Sequence, residues 1–199
     1  MIKFRQYFSI FLFVILTSFC LMQLDKSSDI PDIKGKLLNG DSANLRALTK
    51  DKVTILNVWG VFCHPCMNEI PLLHKIYDKY KDRKDFAFVT IAVNSEPELL
   101  KFLGSKDTTN PYRKMYMEAG LDSFYIPTLA YLPHGYSFSW YPKELDSTER
   151  SNLRIMIKSD AIPTTLLYNR HGKLIFKQIG IIEDTTVLYK KLDKILKEK

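Results

Sequence analysis

Long apolar runs alternate along this chain with charged stretches of helical period, the pattern of an α/β protein. Val53-Thr-Ile-Leu-Asn-Val-Trp59 and Phe86-Ala-Phe-Val-Thr-Ile-Ala-Val93 are nearly continuous, as expected of central strands covered on both faces. Between them Ile70, Leu73, Ile76, Tyr77 and Tyr80 recur at helical spacing, which predicts a helix from about Pro65 to Lys81, kinked at Pro71. Glu96 to Gly104 reads as a short helix. Asn39-Gly40 is a turn signal and predicts a hairpin before the first long strand. Near the far end, Thr164 to Tyr168 and Lys173 to Gln178 read as two strands about the Arg170-His171-Gly172 turn. A last helix, Asp184 to Lys199, is expected to bury Val187, Leu188, Leu192, Ile195 and Leu196 on one face.

The first apolar run is of another kind. Tyr7 to Leu24 is eighteen residues without a charge, preceded by Lys3 and Arg5. That is longer than a usual signal-peptide core and at the short limit of a membrane span. No good cleavage site follows, so residues 1–24 are expected to be an uncleaved anchor and 25–32 a polar linker. The basic residues hold the N-terminus inside and place residues 33–199 on the extracytoplasmic side. The alternatives are a cleaved signal or lipidation at Cys20, although Phe19 before it is bulkier than a lipoprotein site prefers.

About 170 residues remain after this segment, enough for one α/β domain with a full core but short for two. The formal charge of +7 is dispersed in mixtures such as Lys79-Tyr-Lys-Asp-Arg-Lys-Asp85, which read as solvated helix faces. No basic block of the kind that tracks phosphates is present, which argues against nucleic-acid binding. Three cysteines in all exclude a disulfide-stapled scaffold.

Two of those cysteines carry the candidate chemistry. Cys63-His64-Pro65-Cys66 falls on the turn between the Val53–Trp59 strand and the helix after it. The first cysteine sits where unpaired helix N–H groups stabilise a thiolate, and the second is within reach to resolve a mixed disulfide. Pro65 suits the first helical turn, and His64 sets a titratable cation beside the thiolate. A structural zinc needs four ligands, and His74, His134 and His171 show no ligand spacing, so no metal is expected.

The surrounding residues resemble a known group. Asn57-Val-Trp-Gly-Val-Phe-Cys-His-Pro-Cys66 with Met-Asn-Glu69-Ile-Pro71, and later Ala161-Ile-Pro163-Thr-Thr-Leu-Leu-Tyr-Asn169 with Gly180, are similar to the thioredoxin-like TlpA/ResA/DsbE (CcmG) family. The similarity covers about Ile30 to Leu103 and Lys158 to Lys199. It implies a thioredoxin-like α/β fold, a central mixed sheet flanked by helices. Residues of about 105–159, rich in aromatics, form an insertion before the strand that follows the cis-proline.

The resemblance also implies roles. The group consists of membrane-tethered thiol–disulfide oxidoreductases that use the cysteine pair and no other cofactor. Cys63, Cys66 and Glu69 would be catalytic, with Glu69 supplying the base that Asn57 cannot be, where thioredoxin itself has an aspartate. Pro163 would be cis, with Ile162, Phe62, Trp59, His64 and Pro65 facing the substrate. Tyr125-Ile-Pro127-Thr has nearly the same shape as the Pro163 motif. Pro163 is preferred because two strands and a helix follow it directly. The implied role is a reductase of protein disulfides, as in cytochrome c maturation, fed by a membrane or periplasmic electron-transfer partner. Phe62 stands where tryptophan is usual. His64 is unusual for a reductase and points to a disulfide-forming oxidant; that or an isomerase is the alternative, and a metal-binding or metallochaperone domain of thioredoxin fold is a third reading.

Overall fold

The computed structural model describes residues 29–118, 124–132 and 161–198. The expectations for the apolar segment 7–24, for Cys20 and for much of the 105–159 span therefore lie outside the described residues.

The Asn39-Gly40 signal does produce a hairpin. Lys34–Leu37 (β1) pairs antiparallel with Ser42–Asn44 (β2), and Gly40 takes φ 87° while its N–H donates to the Leu37 carbonyl. That backbone region is open to glycine at no steric cost. Asn44 then caps a short helix, Leu45–Thr49 (α1), its side-chain oxygen accepting from the Ala47 amide at 3.1 Å.

Val53–Trp59 (β3) and Phe86–Ser95 (β4) are parallel neighbours, joined by the long helix His64–Tyr80 (α2), which runs through Pro71 without ending. Every residue of β3 is buried. Its side chains alternate between two cores, because successive residues of a strand point to opposite faces. Val53, Ile55 and Trp59 join Ile70, Leu73 and Ile76 of α2, whereas Leu56 and Val58 join Leu45, Ile91 and Leu166. A continuous apolar run is thus the signature of a strand between two layers.

Two helices follow β4, Glu96–Gly104 (α3) and Pro111–Glu118 (α4), and then the strand Thr128–Leu132 (β5). β5 lies parallel to β4 on one side and antiparallel to β1 on the other. The segment expected as an insertion is therefore woven into the sheet where it is described. Its aromatics also enter the core. Tyr116 is buried, and Phe124 stacks on Trp59 with ring centroids 4.9 Å apart.

Thr164–Tyr168 (β6) pairs antiparallel with β3, and Leu174–Ile179 (β7) closes the sheet, whose order is β2-β1-β5-β4-β3-β6-β7. Asp184 caps the last helix, Thr185–Ile195 (α5), which buries Leu188, Leu192 and Ile195. Val187 is a correction: it was expected on the buried face and is 45% exposed.

The two similar prolines separate by strand. Pro127 enters β5 and its carbonyl accepts from the Thr90 amide of β4, away from the cysteine strand. Pro163 enters β6, which is bonded directly to β3.

Candidate active site

Cys63 is the N-cap of α2, with an extended backbone at φ −96° and ψ 100°. Its Sγ accepts from the Cys66 amide at 3.2 Å, so one otherwise unpaired helix N–H points at sulfur. The two cysteines form a disulfide, S–S 2.01 Å, and in this state both are buried, 3% and 1% exposed. The turn that presents them is tied down at both ends. The Cys63 amide donates to the Gly60 carbonyl, and the Val61 amide donates to Asn94 Oδ1 at the end of β4.

His64 is the first residue of the helix and exposed, and Pro65 beside it is half-buried. Phe62 and Ile162 are also half-buried, and each packs against both cores at the edge of the site. The Ile162–Pro163 bond is cis. The Pro163 carbonyl accepts from the Gly180 amide at 2.9 Å, which holds the start of β6 to the end of β7.

Trp59 does not belong to this surface. It was expected to face substrate, but it is 1% exposed. Its ring stacks on Phe124 and its Nε1 donates to Thr90 Oγ1 at 3.2 Å. The Thr90 hydroxyl meets that of Thr128 at 2.7 Å, and Thr128 donates to the Ile126 carbonyl. Since each hydroxyl has one hydrogen, the direction is fixed: Trp59 to Thr90 to Thr128 to Ile126. The indole belongs to the core because it is the first donor of this chain.

Glu69 is the group a surface reading of the helix would have misplaced. Three residues beyond Cys66, it is 1% exposed and points into the sheet. Oε1 accepts from the Ile182 amide at 2.8 Å, and Oε2 accepts from Asn57 Nδ2 at 3.0 Å. Burial pushes its pKa above the usual carboxylate value, opposed by the Ile182 and then the Asn57 hydrogen bonds. An acid raised in this way holds its proton more tightly than an exposed carboxyl does. Asn57 also donates to Thr165 Oγ1 at 2.9 Å. Neither Thr165 nor the Ile182 amide was singled out from sequence. Thr165 lay within the Pro163-Thr-Thr motif, whereas nothing in sequence marks a backbone amide 113 residues from its partner.

Comparison with known proteins agrees with this geometry. Residues 25–117 match the Redoxin family. The thioredoxin-like protein YneN of Bacillus subtilis is 31% identical over 90 residues, 44% of this chain and 52% of that protein. The thiol-disulfide oxidoreductase ResA of Halalkalibacterium halodurans is 44% identical over 63 residues, 31% of this chain and 34% of that one. The chain thus spans about half the length of the first relative and a third of the second. Among solved structures, a thiol-disulfide isomerase from Corynebacterium glutamicum superposes with a TM-score of 0.56 at 17% identity, covering 87% of this chain and 99% of that one. A thiol-disulfide oxidoreductase from Bacteroides fragilis gives 0.52 at 19% identity, covering 84% and 98%. At those identities the structures speak for the fold. The chain has a thioredoxin-like fold, and its residues 25–117 are similar to the Redoxin family, as a 63-residue stretch of it is to the thiol-disulfide oxidoreductase ResA.

Proposed function

We propose that this protein is a membrane-anchored, extracytoplasmic thiol–disulfide oxidoreductase that reduces protein disulfides. The observation that carries the reading is the Cys63–Cys66 disulfide at the N-terminus of α2, with a buried glutamate one turn beyond it. In the reduced protein the Cys63 thiolate attacks one sulfur of a substrate disulfide. That bond breaks, a mixed disulfide with Cys63 forms, and the other substrate sulfur leaves as a thiolate. Cys66 gives its proton to Glu69 and attacks Cys63 Sγ. The second substrate sulfur leaves, and the Cys63–Cys66 disulfide remains. Two electrons from a dithiol partner in the membrane or periplasm restore the pair.

Docking by strand addition fits Ile162, which makes no backbone hydrogen bond among the described residues and immediately precedes Pro163. Phe62, His64 and Pro65 surround the same edge. Family resemblance extends the reading to the haem-attachment cysteines of c-type cytochromes as substrate. The uncharged run from Tyr7 to Leu24 behind Lys3 and Arg5 supports the anchor and the outward orientation.

A second reading, a disulfide-forming oxidant, is favoured by the exposed His64 between the cysteines, since a cation there stabilises the reduced thiolate. The reduction potential of the pair in the full-length protein separates the two. A value of about −200 mV or lower supports the reductase, and one approaching about −120 mV supports the oxidant. Topology is tested separately. The full-length chain should stay in membranes washed with alkaline carbonate, and an impermeant maleimide should label Cys63 in intact spheroplasts. Labelling only after lysis would reverse the orientation.

A further inference from the structure

Asn57 carries one unpaired atom beside Glu69. Its Nδ2 donates to both Glu69 Oε2 and Thr165 Oγ1, at 3.0 and 2.9 Å, whereas its buried Oδ1 has no hydrogen-bond partner among the described residues. The arrangement suits only one protonation state of Glu69. As a carboxylate, Glu69 has acceptors alone, and it takes one N–H from Asn57 and one from Ile182. Once Oε2 carries a proton it becomes a donor facing a donor.

A turn of the carboxamide by about 180° about its two-fold terminal torsion removes the conflict. Oδ1 then occupies the place of Nδ2. It accepts from Glu69 Oε2–H and from the Thr165 hydroxyl, which can accept in one arrangement and donate in the other. Two hydrogen bonds are made in either state. An aspartate here would itself exchange protons, and an aliphatic side chain would serve neither state.

We propose that Asn57 is a positioning residue that reverses its side-chain amide whenever Glu69 gains or loses a proton, so that the carboxyl stays hydrogen-bonded as it cycles. This rests on the reading of Glu69 as the proton carrier. A fixed donor would hold only the carboxylate and a fixed acceptor only the acid. No charged side chain among the described residues contributes to the ionisation of Glu69, which is set by burial and its two donors. The titratable neighbours on its own helix end are Cys66, one turn before it, and Cys63, and neither titrates in the disulfide form.

The test is nuclear magnetic resonance on the full-length, isotope-labelled protein in detergent, in its disulfide form. The Glu69 carboxyl carbon and the Asn57 side-chain amide are followed together through a titration. The expected result is one shared midpoint, with contacts between the Nδ2 protons and the Thr165 methyl strong above it and weak below it. Titration of Glu69 with those contacts unchanged would overturn the inference and leave Glu69 as proton carrier. No titration of Glu69 between about pH 4 and 9 would overturn both. Asn57→Leu gives an independent reading. Because both states lose one partner, the Glu69 midpoint should stay within about half a unit; a fixed donor would instead raise it by about one unit or more.

Discussion

Glu69 and Ile182, 113 residues apart, meet at 2.8 Å, the Ile182 amide donating to Oε1. Two residues earlier the Gly180 amide donates to the Pro163 carbonyl. The carboxyl behind the cysteines and the peptide bond beside them are therefore held by one short stretch of backbone, Gly180 to Ile182.

Glu69→Gln tests both the proton transfer and its energetic cost. Resolution of the mixed disulfide should slow by about 100-fold at mildly acidic pH, with the defect shrinking as rising pH ionises Cys66 without help. Stopped-flow thiol exchange across pH reads this directly. The stability effect has a definite sign. The folded pKa is raised, so the acid is the form the fold prefers; that contribution is full below the unfolded value and is lost as pH rises through the folded one. Wild-type stability should therefore fall across that window relative to Glu69→Gln. Parallel curves in urea would show that Glu69 ionises as freely folded as unfolded.

His74 makes the opposite prediction. It is buried on α2 against the rings of Phe124 and Tyr125, centroids 5.3 and 4.2 Å away, and its Nε2 has no partner among the described residues. Burial lowers its pKa, partly offset by Asp78 one turn on. The fold prefers neutral histidine, so its contribution is full at high pH and is lost as pH falls below about 6.5, where the unfolded chain takes up the proton. His74→Leu should remove this acid sensitivity. Denaturation midpoints at about pH 5 and about pH 8 check it; an equal loss on acidification in the wild type and in His74→Leu would place the sensitivity elsewhere.

Much of this arrangement was legible in the sequence. Strands β3 and β4 read directly, since continuous apolar runs report burial on both faces, and the helix between them read from its period. The cysteine pair and Pro163 read from local motifs. What did not read depends on partners distant in the chain. Trp59 is a core residue because Phe124 and Thr90 cover it, and Glu69 is buried because Asn57 and Ile182 supply its donors. That the insertion supplies a strand of the sheet, β5, did not read, because five residues give no sign of which strands they join. Val187 followed the helical period but lies at the rim of the covered face.

Gly60→Ala should disturb the site from behind. A Cβ there would sit 3.0 Å from Phe62 Cζ and 3.1 Å from Val93 Cγ2. Val93 is fixed in β4, so the half-exposed Phe62 ring must yield. We expect a loss of about 1–3 kcal/mol and faster alkylation of reduced Cys63 as the ring moves aside. Wild-type values of both would mean that Phe62 does not rest on Gly60.

Trp59→Phe should be nearly silent in catalysis. It keeps a ring against Phe124 and removes only the donor to Thr90, at a cost of about 1 kcal/mol. Thr90 still donates to Thr128, so the remaining chain is intact. An exchange rate more than about threefold below wild type would put the indole back at the reacting surface.

The first described residue, Asp29, is tied to the β6–β7 turn. The Asp29 amide donates to the Gly172 carbonyl, and its carboxylate accepts from the Leu174 amide and approaches Lys173. That turn joins β6 to β7 at the end of β6 remote from Pro163, and β3 runs antiparallel to β6, so Cys63 emerges at the Pro163 end. One strand length, about 17 Å, separates the two poles. Were residues 7–24 the anchor proposed above, the domain would be tethered from the pole opposite the dithiol. The cysteine end would then be the one turned to open solvent, suited to partners that arrive by diffusion, and a thiol donor embedded in the same membrane would need a segment long enough to reach over the domain.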